Sequence, residues 1–99
     1  MKLNKGMNVT VSCNELYEKI QAGLLYNITI KAQYDKKEDS AYFDLYNEHN
    51  ELACMDGETC EIVNIDQNGF VTLKNADGES EKLFTLSPYE AAIGLFVNP

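Results

Sequence analysis

The chain has 99 residues, with 16 acids, 8 lysines, no arginine and no tryptophan, and its formal net charge is −8. That length buries one compact core, and a 44% hydrophobic share is too high for a disordered chain. An acidic, arginine-free surface lacks the forked donors that read bases and grip phosphates, and no apolar run approaches the ~18 residues of a membrane span.

Met7–Val11 alternates around Val9 and reads as a short strand. Ser12 and Glu15 have capping-box spacing: the hydroxyl accepts from the third backbone N–H, and the carboxylate reaches back. Leu16, Tyr17, Ile20 and Leu24 then recur at helical spacing, and Gly23 is a natural stop, which predicts one amphipathic helix of about ten residues. From Leu24 to Tyr34 the period becomes two. Tyr26, Ile28, Ile30, Ala32 and Tyr34 take one face of a half-buried antiparallel strand.

Asp35–Ser40 is a charged turn, and Ala41–Tyr46 follows as a strand. Its parity puts Phe43 and Leu45 inward and Tyr42, Asp44 and Tyr46 outward. Asn47–Asn50 turns into a short strand, Leu52–Met55, and Asp56-Gly57 is a hairpin signal before the next strand, Thr59–Ile65. Asn68-Gly69 leads into Phe70–Lys74, and Asp77-Gly78 into Glu79–Phe84. Ser87 as N-cap, Pro88 at the first helical position and Glu90 at the third predict a capped second helix that Gly94 closes, with Leu95–Val97 packing back on the sheet. Phe43, Phe70, Phe84 and Phe96 are expected in the core. Turn signals about 9–12 residues apart mark a small meander, sandwich or barrel. The expectation is a single α+β domain over residues 1–99. It has a strongly bent antiparallel sheet, SH3-like or a meander, and a capped helix near each end.

The charge is not evenly spread. Residues 35–66 hold ten acids against two lysines, so the whole net charge falls there; the remainder has six acids and six lysines. Such a block is either a solvated face that keeps the chain soluble or an acidic docking surface for a basic partner. Tyr42 and Tyr46 flank Asp44 on the expected outward face, where tyrosine supplies rigid apolar area with a polar tip. The alternative is that β-propensity alone places them on the sheet surface. The candidate partner-binding residues are therefore Asp35, Glu38, Asp39, Tyr42, Asp44, Tyr46, Glu48, Glu51, Asp56 and Glu58.

Cys13, His49, Cys54 and Cys60 make one complete Cys₃His set, the composition of a tetrahedral structural zinc site. Cys54 and Cys60 flank the Asp56-Gly57 turn, and Cys13 begins the first helix. The five-residue gap between those two cysteines is wider than the usual knuckle. Buried free thiols are the alternative, because Cys54 shares parity with Leu52 and Cys60 with Ile62; a functional disulfide is a third. His49 lies in a polar turn without a nucleophile signature, so no enzyme is expected. Asp66-x-Asn68 lacks the acid and glycine that an EF-hand needs at positions five and six, where Phe70 and Val71 stand.

In overall character the chain resembles small proteins of mobile elements in low-GC Gram-positive bacteria, among them the anti-CRISPR proteins that inhibit Cas9. The acidic block from Asp35 to Asp66 and the stretch Asp56–Ile93 (DGETCEIVNID…FTLSPYEAAI) carry the resemblance. It implies a non-enzymatic inhibitor that occupies a basic surface on a nucleic-acid-handling enzyme, with any zinc structural. The alternative is a mobile-element SH3-like adaptor with no inhibitory role. Met1–Ser12 has no apolar core of a secretory signal, so the expected location is the cytoplasm, and the resemblance implies that of a bacterial host. Neither nucleic acid nor membrane is an expected direct partner.

Overall fold

The computed structural model describes residues 2–75 and 82–97. Along them the elements run β1 (Asn8–Val11), α1 (Cys13–Gln21), β2 (Thr29–Asp35), β3 (Ser40–Tyr46) and β4 (Leu52–Met55), then β5 (Thr59–Ile65), β6 (Val71–Asn75), β7 (Leu83–Leu86), α2 (Pro88–Gly94) and β8 (Leu95–Val97). The class is α+β, with a capped helix near each end, as expected. Among the described residues the strands form two antiparallel sheets that do not close into a barrel. One has the order β7-β6-β5-β1-β8 and the other β2-β3-β4. The expected Asp77-Gly78 turn, and the start of the strand expected over Glu79–Phe84, lie outside the described residues. The observed strand, Leu83–Leu86, overlaps the expected one only at Leu83 and Phe84, runs two residues beyond it, and pairs with β6.

Asp56-Gly57 is a turn, but not a hairpin. β4 pairs with β3, whereas β5 pairs with β1 and β6, so this turn carries the chain from one sheet into the other. Its neighbours take up its backbone. The Asp56 N–H donates to the Phe43 carbonyl at 3.1 Å, and the Gly57 N–H donates to the Val11 carbonyl at 2.8 Å. Gly57 sits at φ 82°, a conformation that a residue with a Cβ rarely adopts. The dipeptide thus signals a reversal correctly, yet says nothing of which strands the reversal joins.

α1 starts at Ser12, whose hydroxyl accepts from the Glu15 N–H at 3.3 Å. The Ser12 N–H itself donates to the Gly94 carbonyl at 2.8 Å, which ties the start of α1 to the end of α2. α1 ends in a Schellman arrangement: the Gly23 N–H donates to Ile20 O at 2.9 Å and the Leu24 N–H to Lys19 O at 3.1 Å. α2 has the complete capping box expected of Ser87 and Glu90. Gly94 is its last residue but has no positive φ, and Leu95 is the cap. What requires glycine there is the neighbour, since a Cβ at Gly94 would stand 2.7 Å from Cγ of Leu16.

The core lies between the helices and the inner faces of both sheets. Val9, Val11, Leu16, Ile30, Leu45, Ile62, Leu73, Leu86 and Leu95 are buried in it. Each such aliphatic side chain contributes ~1.5–3 kcal/mol of burial free energy. Phe84 is buried, and Phe43 and Phe70 are half-buried. Phe96 departs from expectation: it is exposed, because β8 is an edge strand that turns Leu95 inward and its neighbour outward. The period-two face of β2 is likewise only part core. Ile28 and Ile30 are buried at its root, but Tyr26, Ala32 and Tyr34 are exposed. The β2–β3 ribbon outruns the domain that covers it.

Candidate functional site

β3 organises the acidic segment. It pairs with β2 from Thr29↔Tyr46 to Asp35↔Ser40 and with β4 on its other side. The Asp35–Ser40 turn caps one end of β3, and the Asn47–Asn50 turn the other. The candidate carboxylates therefore fall into groups strung along one strand. Asp35, Glu38 and Asp39 stand at the tip, Asp56 and Glu58 beside the middle, and Glu48 and Glu51 at the far end.

Much of this charge already has local work. One Asp35 oxygen accepts the Lys37 and Glu38 N–H groups at 2.9 and 3.4 Å, closing the tip. Asp56 accepts from the Asn14 N–H in the first turn of α1 at 3.2 Å, and Glu58 accepts from Met55 N–H at 2.6 Å. Glu51 accepts from Lys82 Nζ at 2.8 Å and from Asn47 Nδ2 at 3.1 Å, and those bonds, Lys82 first, hold its carboxyl below the ordinary range. Outside the candidate set, Asp66 closes the β5–β6 turn by accepting from the Asn68 and Phe70 N–H groups. The exposed acids that take no backbone N–H among the candidates are Glu38, Asp39 and Glu48, and of these Asp39 accepts from the Tyr34 hydroxyl. Glu48 is bonded only through side chains, to Asn27 Nδ2 at 3.0 Å and beside His49 at 3.7 Å.

The outward placement of Asp44 needs correcting. Its parity is outward, but it is only 7% exposed, with Met55 opposite it in register and Oδ1 without a hydrogen-bond partner. Burial first, and then the charge of Glu58, raise its pKa above the ordinary carboxylate value. Lys31 stands opposite it on β2, yet its ammonium lies 4.2 Å over the Tyr46 ring and donates to Asn50 Oδ1. Tyr46 is accordingly half-covered, and Tyr42 is the exposed tyrosine of the outer face. Asp44 is thus part of the packed sheet rather than a contact residue.

The four candidate metal ligands are split. Cys13, Cys54 and Cys60 are all buried, and the Cys54 and Cys60 sulfurs stand 3.6 Å apart where β4 and β5 meet. The Cys13 and Cys60 thiols beside it, and then burial, push the Cys54 thiol far up, so it is not a ready nucleophile. His49 is in the β3–β4 turn with its side chain 72% exposed. No group of three metal-binding side chains is found among the described residues. His49 borders a polar cleft that also holds Asn27, Glu51, Lys82 and two threonines, Thr72 and Thr85, whose hydroxyls bond each other at 3.1 Å. No helix among the described residues is long and apolar enough to cross a membrane.

No protein-family model, no curated protein and no solved structure matches this chain.

Two buried polar residues that hold this region carry no warning in the sequence beyond their capping or turn role. Glu90 is fully buried. One oxygen completes the α2 capping box, and the other accepts from the Tyr26 N–H at 2.6 Å, 64 residues away. Asn47, 5% exposed, accepts the N–H groups of His49 and Glu51 and donates to the Leu83 carbonyl at 3.0 Å, which joins the turn to β7.

Proposed function

We propose that this chain is a non-enzymatic acidic binding protein that occupies a basic surface on a nucleic-acid-handling enzyme, with Cas9 the first candidate. One observation carries the proposal: the surplus carboxylates are ordered along β3 by the fold. Glu38 and Asp39 stand exposed at the tip beside Lys36 and Lys37, with Asp39 accepting from the Tyr34 hydroxyl, Glu48 is exposed at the far end, and the exposed Tyr42 lies between. Six β-strand steps separate the ends, or roughly 20 Å at ~3.4 Å per residue. A strip of that length suits a groove lined by Lys and Arg, and its negative field steers such a partner from a distance. Tyr42 supplies the rigid apolar contact that a charged strip lacks. The total absence of arginine argues against a direct nucleic-acid contact.

The test is a titration of the purified chain against Cas9, with and without guide RNA, alongside a DNA-cleavage assay. Stoichiometric binding that weakens with salt, and a matching loss of cleavage, support inhibition by occupancy. Absence of binding at low salt refutes it.

A further inference from the structure

Among the described residues four strands edge the two sheets, and three of them are blunted. In β4 the Met55 N–H is taken by the Glu58 side chain. In β7 the Leu83 carbonyl is taken by Asn47. β8 is three residues long. β2 is different. It runs for seven residues with no proline and no glycine, and its only backbone ladder among the described residues is the one to β3. A long open edge is a template for another strand unless something blocks it. Here the inner face near the edge is also largely apolar and exposed: Ala32, Ala41 and the ring of Tyr34, the last 59% exposed with its hydroxyl donating to Asp39.

The sequence of this edge is complementary to itself. Lys31, Gln33 and Asp35 share one face, and Ala32 and Tyr34 the other. When β2 is laid antiparallel against a second β2 about Gln33, Lys31 stands opposite the partner's Asp35, and the same pair recurs on the other side of the two-fold axis. Tyr34 likewise stands opposite the partner's Ala32, twice. A register centred one residue earlier, on Ala32, sets Lys31 against glutamine and leaves every charge unmatched. Opposite charges and an aromatic–apolar pair at directly facing positions are what stabilise antiparallel strands.

We propose that two copies of this chain join edge to edge through β2, in register about Gln33, making one sheet of order β4-β3-β2-β2-β3-β4. Such an interface is isologous and closes after two copies. Lys31 turns its ammonium from the Tyr46 ring to the partner's Asp35, whose Oδ1 keeps its bonds to the turn. Pairing over about five residues a side is at the small end of specific interfaces, so the dimer is weak and concentration-dependent. A charge of −8 on each copy opposes it, and salt screens that repulsion. None of this depends on a basic partner, whose docking salt weakens.

Sedimentation equilibrium of the full chain at raised salt, over a rising concentration series, tests the proposal. The expected result is a monomer–dimer equilibrium in which Gln33→Lys, which sets two ammoniums against each other on the axis, weakens association about tenfold or more. Gln33→Cys is expected to form a covalent homodimer under mild oxidation, whereas Lys37→Cys at the exposed tip does not. The mass of a single chain at every concentration overturns the proposal. So does a dimer that Gln33→Lys leaves intact and Gln33→Cys does not cross-link.

Discussion

Two buried carboxylates show opposite designs at the scale of single residues. Glu90 has both oxygens satisfied by backbone donors, so removing it strands two N–H groups in the core region. Glu90→Ala is expected to cost ~2–3 kcal/mol and to lower Tm by about 10 °C or more in a thermal melt. Asp44 has an orphaned oxygen and a raised pKa, so its ionised form is the penalised one in the folded state. The fold is therefore favoured, as far as this group is concerned, below the unfolded carboxylate pKa of ~4, and that advantage is lost as pH rises through the higher folded value. Asp44→Asn is expected to stabilise the protein at pH 7 by about 1 kcal/mol, with the gain vanishing toward pH 4. Melts across that range check both the sign and the window. The three thiols, buried side by side, are expected to react slowly with a disulfide reagent in the native state and all at once on unfolding. Zinc measured on the same sample separates thiol packing from a ligand set. A full equivalent makes the three sulfurs ligands, with His49 or a water in the fourth position.

What the sequence disclosed at the scale of elements was what neighbours in the chain decide. The Ser87–Glu90 box, the Gly23 stop and the limits of β4 and β5 follow from caps, turn residues and period, and all are in the fold. What it hid was decided by residues far apart. Asp56-Gly57 looks like any hairpin turn, but Val11 and Phe43 claim its backbone and divide the strands between two sheets. Asp44 keeps its outward parity, yet it is buried where Met55, the last residue of β4, stands opposite it. Gly94 reads as a helix stop by local habit, whereas the need for it comes from Leu16, across the α1–α2 contact. That last point is testable. Gly94→Ala is expected to destabilise by ~1–3 kcal/mol through overpacking, and Leu16→Ala in the same chain is expected to relieve part of that cost, a coupling a simple stop would not show. Denaturant melts of the two single variants and the double variant measure it.

On the scale of the whole molecule, the acidic segment has two uses that the sequence merged into one. Asp35, Glu51, Asp56, Glu58 and Asp66 cap turns, a helix start or a buried amide, and Asp44 is packed away. Glu61 pairs with Lys74 across the β5–β6 ladder at 3.9 Å, and Glu38, Asp39 and Glu48 remain as surface charge. Composition could count the carboxylates but not sort them, because the sorting depends on where the backbone N–H groups end up. Charge reversal at Asp44 or Glu51 would therefore damage the fold as well as any contact. Glu38 and Glu48, bound to no backbone group, leave the fold intact when reversed. The decisive measurement is the affinity for Cas9 of the wild-type chain and of the double variant Glu38→Lys, Glu48→Lys, at low and at moderate salt. Acidic docking requires measurable wild-type binding that weakens with salt, and a double variant weaker by about tenfold or more with an unchanged melting temperature. Equal affinity of the two proteins, or no binding by either at low salt, contradicts it.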